Sequence, residues 1–289
     1  MEPILEIKGL RKSYGDFSIK GIDLVLEKGY IMGFIGPNGA GKSTTIKLIM
    51  NLLKKDGGEI KVFGKDNVKF EHEIKNRIGF VYDENYFYEE LTISEMKWII
   101  EPFYKTWDEK AYKKYIKKFE LPEKKKIKEL SKGMKMKLSL TIALSHNADL
   151  LIMDEPTSGL DPLVRSELLE TLSEVIQDEN KAVFFSTHIT SDLDKIADYV
   201  TLIHNGEILF SESKDDILSN YGIVKGGKEV LGKDASRDFV GVRQNRFGFE
   251  ALTKDKNQIK RKYGDKILIE KPTLEEIMLY HTRREQNAV

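Results

Sequence analysis

The 289 residues include no cysteine, which excludes disulfides and thiolate metal sites. Charge of either sign is not in excess: Lys plus Arg and Asp plus Glu are 47 each. There is therefore no global basic field of the kind that gathers nucleic acid, and no nucleic-acid partner is expected. Long apolar runs are missing too. The longest, residues 150–153 and 182–185, are far short of the roughly eighteen residues needed to cross a bilayer. The start, MEPILEIKGLRKSYG, carries an acid at position 2 and no apolar stretch, so it does not read as a signal peptide. If the protein works at a membrane, another chain does the spanning. What is present is 40% hydrophobic and 33% charged residues, enough for a sizeable core beneath a charged surface.

Period-two or continuous apolar patterns predict strands over 4–7, 19–26, 30–35, 59–63 and 77–81. The run at 30–35 is nearly all apolar, as expected of a buried parallel strand. A helix is predicted over 44–53, with Ile46, Ile49, Met50 and Leu53 on one face. From 83 to 147 strand character gives way to aromatics and lysines at helical spacing, which reads as a helical insertion. Strands resume at 150–153, 182–185 and 199–203, separated by helices over 163–178 and 189–197. This alternation predicts an α/β fold around a parallel sheet. Asn205-Gly206 marks a hairpin. Beyond 221, glycines at 226, 227 and 232, strands over 239–243 and 266–269, and a Thr273/Glu276 capping box predict a small α+β module.

Two segments carry chemistry. Residues 36–44 read GPNGAGKST and fit G-x-x-x-x-G-K-[ST] between a strand and a helix. Gly36, Gly39 and Gly41 let the backbone curl around phosphate. Pro37, Asn38, Ala40 and Thr44 complete the cradle. Lys42 bridges the outer phosphates, and the Ser43 hydroxyl is a ligand for Mg²⁺. Residues 150–161 read LLIMDEPTSGLD, a strand delivering Asp154 to hold Mg²⁺ and Glu155 to polarise the attacking water. His188 ends another strand of the same sheet, placed to meet the γ-phosphate and that water. A nucleotide and Mg²⁺ are expected to bind here, the nucleotide being ATP by the resemblance that follows.

The order GPNGAGKST, LSKGM (130–134), LLIMDEP, SGLD and STH resembles the ATPase subunit of an ABC transporter over residues 4–215. The resemblance implies a RecA-like P-loop NTPase core with an antiparallel β subdomain and a helical ABC subdomain at about 83–147. The ATPase domain would span 1–220 and an accessory module 221–289. It also implies a head-to-tail dimer, of two copies or of homologues, in which Ser131, Lys132 and Gly133 of one subunit meet the γ-phosphate held by the other. Asp161 would couple the two sites, and Tyr14 would stack on adenine. The subunit would sit on the cytoplasmic face of the membrane, driving a separate integral membrane subunit. LSKGM looks like the form found in exporters of peptide antibiotics such as bacitracin. Two departures stand out. Lys132 and Met134 replace residues of the usual LSGGQ, and VYDEN (81–85) puts Asp83 or Glu84 where the family has a Mg²⁺-sensing Gln. Among the aromatics of the insertion, Tyr86, Phe87, Tyr88 and Trp98 either pack its core or form a groove for the membrane subunit. A soluble ABC ATPase outside transport, or a regulatory subunit with weak hydrolysis, are the competing readings.

Overall fold

The computed structural model describes residues 3–83, 86–231 and 238–282. Glu84, Asn85 and Gly232, singled out above, lie outside the described residues. Along the chain run β1 (Leu5–Tyr14), β2 (Phe17–Leu26), β3 (Ile31–Ile35), α1 (Lys42–Ile49), β4 (Gly57–Val62), β5 (Lys65–Asp66), α2 (Glu71–Lys75) and β6 (Ile78–Val81). Then follow α3 (Ile93–Ile100), α4 (Glu109–Lys118), α5 (Lys132–Ser145), β7 (Leu150–Asp154), α6 (Pro162–Val175), β8 (Ala182–Thr187), α7 (Thr190–Ile196), β9 (Tyr199–His204) and β10 (Glu207–Ser213). The chain finishes with α8 (Lys214–Asn220), β11 (Gly222–Gly226), β12 (Gly241–Gln244), β13 (Phe249–Thr253), α9 (Lys256–Tyr263), β14 (Ile267–Glu270) and α10 (Leu274–Thr282).

The central sheet has the order β10-β9-β3-β8-β7-β6. Its four pairings from β9 to β6 are parallel and β10 is antiparallel to β9. Strands β3, β7 and β8 are buried along their whole length, which is why they read as unbroken apolar runs rather than alternating ones. In register, Ile35 lies opposite Thr187, Asp154 opposite Ser186, and Val81 opposite Met153. Four strands therefore empty at one carboxyl edge, where open α/β sheets bind ligands.

A second, antiparallel sheet has the order β2-β1-β4-β5. It is sewn to the first through the β9–β10 turn. The Gly206 carbonyl accepts from Lys20 N at 2.9 Å, and Gly206 N donates to the Ala40 carbonyl at 3.0 Å. A Cβ on Gly206 would lie 1.8 Å from the Ser18 carbonyl oxygen, so only glycine fits this seam.

Helix α1 starts two residues earlier than its periodicity suggests and stops four earlier. Asn51 takes φ 51°, and Leu52 N closes back onto the Lys47 carbonyl at 2.8 Å, a left-handed Schellman stop. The Asn67 amide covers the freed carbonyls of Leu48 and Ile49 at 2.9 and 3.0 Å. Between β6 and β7 the described residues hold α3–α5 and no strand beyond one isolated bridge. Tyr86, Tyr88, Trp98 and Phe103 are two-thirds or more exposed there, while Phe87 packs on the core.

The last sheet has the order β12-β13-β11-β14. Strand β11 is central, and its two glycines are what hides it from sequence patterning. A Cβ on Gly222 or Gly226 would meet Ile269 or Phe249 at 2.8 Å. The predicted Thr273 capping box is present: Thr273 N donates to Glu276 Oε2 at 2.8 Å and Glu276 N to Thr273 Oγ1 at 3.1 Å. Helix α10 packs on α7, β12 and β13. Tyr221, Ile223, Val240, Leu252, Leu274, Ile277 and Tyr280 share one hydrophobic cluster with Leu193, Phe210 and the sheet residues Leu151, Val183 and Phe185.

Candidate active site

Residues 36–41 link β3 to α1. The chain must pass Gly36 hard against its neighbour strand, since a Cβ there would stand 2.2 Å from the Ile203 carbonyl oxygen. Gly41, at φ 114°, caps α1 in a conformation that other residues avoid. The loop thus presents the amino end of α1, with its unpaired N–H groups and positive dipole end, to the sheet edge.

Lys42 is the first residue of α1, and its side chain is only 6% exposed. Nζ donates to the Gly36 carbonyl at 2.7 Å and the Pro37 carbonyl at 3.3 Å, and forms an ion pair with Glu155 Oε1 at 3.1 Å. The other Glu155 oxygen, Oε2, accepts from His188 Nδ1 at 2.7 Å and from His188 N at 3.3 Å. That contact requires the ring proton on Nδ1. Glu155 itself has φ 49°, a left-handed backbone that costs a glutamate of the order of 1–2 kcal/mol. Its amide is held by Ser186, donating to Oγ at 3.0 Å and to the carbonyl at 3.2 Å.

Asp154 closes β7 and is buried. Its Oδ1 accepts from Ser43 Oγ at 3.1 Å and Ser186 Oγ at 2.6 Å. A buried carboxylate and a hydroxyl converging in this way are hard oxygen donors, suited to Mg²⁺ held jointly with phosphate; the residues present fit that ion. Around these groups lies a cleft of about 570 Å³, lined by Phe17, Asn38, Gly39, Gly41, Lys42, Ser43, Thr44, Asp83, Glu155, Ser158 and His188. One cation, three acids, three hydroxyls and free backbone amides at a helix start can grip a polyphosphate, carry a hard cation and present a base to water.

A family model for the ABC transporter matches residues 19–158. A bacitracin transport ATP-binding protein of Bacillus licheniformis is 35% identical over 72% of this chain and 69% of its own length. A linearmycin resistance ATP-binding protein of Bacillus subtilis is 36% identical over 76% of this chain and 72% of its own. The chain belongs to the ATP-binding proteins of ABC transporters. It is an ATPase subunit that couples ATP hydrolysis to transport. A solved ATP-binding subunit of an ABC transporter is similar in structure, at 30% identity and TM-score 0.69 over 75% of this chain and 92% of that one. A dimeric cassette bound to ADP and Pi shares the fold, at 23% identity and TM-score 0.65 over 72% of this chain and 98% of that one.

Of the residues singled out in this ABC ATP-binding protein, Asn38, Gly39, Gly41, Lys42, Ser43, Thr44, Asp83, Asp154, Glu155 and His188 come together at the cleft or directly beneath it. Gly36 and Pro37 meet Lys42 through their carbonyls. Ala40 is buried in the loop, with its carbonyl taken by Gly206. Ser131, Lys132 and Gly133 stand elsewhere, at the start of α5. Ser131 caps that helix, accepting from Met134 N at 3.2 Å, and Gly133 faces Val164 of α6. Lys132 nevertheless touches the cleft's edge through Asp83, Nζ to Oδ1 at 3.4 Å. The two departures from the family pattern are thus ion-paired to each other.

Asp161 caps α6, accepting from Leu163 N and Val164 N at 3.1 and 3.0 Å. Tyr14 is the last residue of β1. Its ring lies 5.3 Å from Lys12 Nζ, and its cross-strand partner Phe17 is the aromatic that lines the cleft. Sequence reasoning missed Phe17, Ser158 and Ser186. It also missed buried Asp192 of α7, which binds Arg165 Nε at 2.5 Å and Thr157 Oγ1 at 2.6 Å and so ties the loop after Glu155 to two helices.

Proposed function

We propose that each working ATP site is shared between this subunit and a second ATP-binding subunit, with Mg²⁺ held by Ser43 and Asp154 and water activated by Glu155. The observation that supports this most is the Lys42–Glu155–His188 chain of contacts above the phosphate loop. Lys42 and Glu155 neutralise each other as an ion pair. A bound polyphosphate offers Lys42 more negative charge than one carboxylate does, so Lys42 moves to the phosphates and one Glu155 oxygen is released. His188 stays on the other oxygen and keeps the carboxylate aimed, leaving Glu155 to accept a proton from water beside the γ-phosphate. Bound Mg²⁺ supplies charge neutralisation at the phosphates. Asp83 stands at the cleft as a further oxygen donor in place of the family's Gln.

Ser131, Lys132 and Gly133 lie apart from this chain's own phosphate loop, which fits a role on the partner subunit's nucleotide. Asp161, at the cap of α6, would lie between the two sites, and Tyr14 would extend the cleft toward the base. No helix among the described residues is long and apolar enough to cross a membrane. Exposed Tyr86 and Phe103 line an apolar cleft of about 290 Å³, and Tyr88 and Trp98 are exposed on the same insertion; this supports docking of an integral membrane subunit and, with it, a position at the cytoplasmic face of the membrane. The relatives' names, bacitracin transport and linearmycin resistance, support the reading of an exporter of peptides or drugs. Glu155→Gln is expected to lower turnover at least 100-fold while ATP still binds, and the native complex is expected to copurify with an integral membrane protein. Unchanged turnover removes Glu155 from its role, and a complex free of membrane protein refutes the transporter assignment.

A further inference from the structure

Ser186 is the penultimate residue of β8, fully buried, and lies opposite Asp154 in register. A serine inside the run AVFFST has to do something with its hydroxyl, because a buried unpaired hydroxyl is costly. Here both hydrogen-bonding faces are used at the site. The O–H donates to Asp154 Oδ1 at 2.6 Å, and the oxygen accepts the Glu155 amide at 3.0 Å. One side chain therefore fixes two neighbouring acids in different ways. It orients the carboxylate of Asp154, and it holds the backbone of Glu155 in its left-handed turn.

The hydroxyl also fixes which Asp154 oxygen is engaged, because it donates to Oδ1 from a buried, immobile position. Ser43 shares the same oxygen at 3.1 Å but belongs to the phosphate loop and is only partly buried, so it can turn toward a ligand. Ser186 has no such freedom: its strand is paired on both sides, with β3 and with β7.

We infer that Ser186 is a positioning residue of the ATPase, locking Asp154 for the cation and Glu155 for water from a single hydroxyl. The inference rests on the roles given to Asp154 and Glu155 above. It predicts two separable losses when the hydroxyl goes. Loosening Asp154 weakens cation binding. Loosening the Glu155 backbone lowers turnover even when cation and nucleotide saturate.

The test compares Ser186→Ala, Ser186→Cys and Asp154→Asn in the full chain with its partners. Mn²⁺ binding in the presence of ADP is followed by electron paramagnetic resonance, and turnover is measured separately at saturating Mg²⁺. The thiol keeps the volume of the site but is a poor hydrogen-bonding group, so the cysteine variant folds where alanine leaves a void. Both Ser186 variants are expected to bind Mn²⁺ about tenfold more weakly and to turn over at least tenfold more slowly at saturation. A cysteine variant that matches the parent in both measurements shows that packing alone matters and overturns the inference. If Asp154→Asn loses Mn²⁺ while both Ser186 variants keep it, only the role of Ser186 fails. If Asp154→Asn keeps Mn²⁺, the reading of the site fails with it.

Discussion

Lys42 and Glu155 hold each other as an ion pair, so removing the charge of Glu155 should tighten nucleotide binding rather than weaken it. The pair lies 3.1 Å apart with both side chains largely buried. At an effective dielectric constant of about 20, the Coulomb attraction at that distance is about 5 kcal/mol. Loss of hydration of both ions offsets most of it, and hydrogen bonds to charged groups retain about 1.5–3 kcal/mol net. Nucleotide must break this pair before its phosphates can take Lys42. In Glu155→Gln the carbonyl oxygen still accepts from His188, which directs the amide donors toward Lys42 and repels it. The variant should therefore bind ADP about 10- to 100-fold more tightly, the factor that corresponds to that net energy. ADP is the right ligand, because neither hydrolysis nor ATP-driven pairing contributes. The assay is equilibrium titration of dilute protein with a fluorescent ADP in EDTA, run as a cycle with Lys42→Ala. Lys42→Ala should weaken binding, and adding Glu155→Gln to it should restore nothing. Affinity of the glutamine variant within twofold of the parent, or the same gain in both backgrounds, would show that the pair is not what nucleotide displaces.

Asp192 is fully buried between Arg165 and Thr157, and Asp192→Asn leaves the guanidinium without its counter-charge. Breaking such a pair should lower the unfolding free energy by about 2–4 kcal/mol in urea titration, and a loss below about 1 kcal/mol refutes the assignment. His146 is buried with Nδ1 3.2 Å from the Ile142 carbonyl and Nε2 3.0 Å from the Ile78 carbonyl, and its ring is stacked on Tyr104. Burial holds its pKa below the ordinary value, outweighing the pull of the two carbonyls. The unfolded chain therefore takes up a proton below about pH 6.5 that the folded chain resists. Stability due to this group is complete above that pH and falls as the pH drops toward the folded-state value, by at most about 1.4 kcal/mol per unit. His146→Gln should flatten the fall in urea midpoint between pH 7 and 5.5, and an unchanged slope assigns the effect elsewhere.

The parallel sheet was legible because buried strands leave continuous apolar runs, as at Ile31–Ile35 and Leu150–Asp154. The phosphate loop and both acids were legible because their chemistry demands particular residues at set spacings. Other features depend on information that no local pattern carries. Asn51 stops α1 through a backbone conformation, while the apolar spacing runs on to Leu53. Strand β11 contains glycines that a neighbouring side chain requires. Tyr14 and Phe17 are both aromatics at one hairpin, and only register and twist decide which of them faces the cleft. Ser186 looks like one polar residue at the end of an apolar run until β7 is laid beside β8. Lys132 and Asp83 stand 49 positions apart, and only the fold pairs them.

The shared hydrophobic cluster beneath α10 bears on how the protein comes apart. Composition changes at residue 221, yet Tyr221, Leu274 and Ile277 lie in the same apolar body as Leu193, Leu151 and Val183. A seam visible in the sequence is thus sealed in three dimensions by shared packing, and the described residues after 221 are expected to melt together with the catalytic sheet in one cooperative transition. Helix α7, which begins two residues after His188, rests on α10. The part of the chain with no residue in the cleft is the backstop against which a catalytic element is braced.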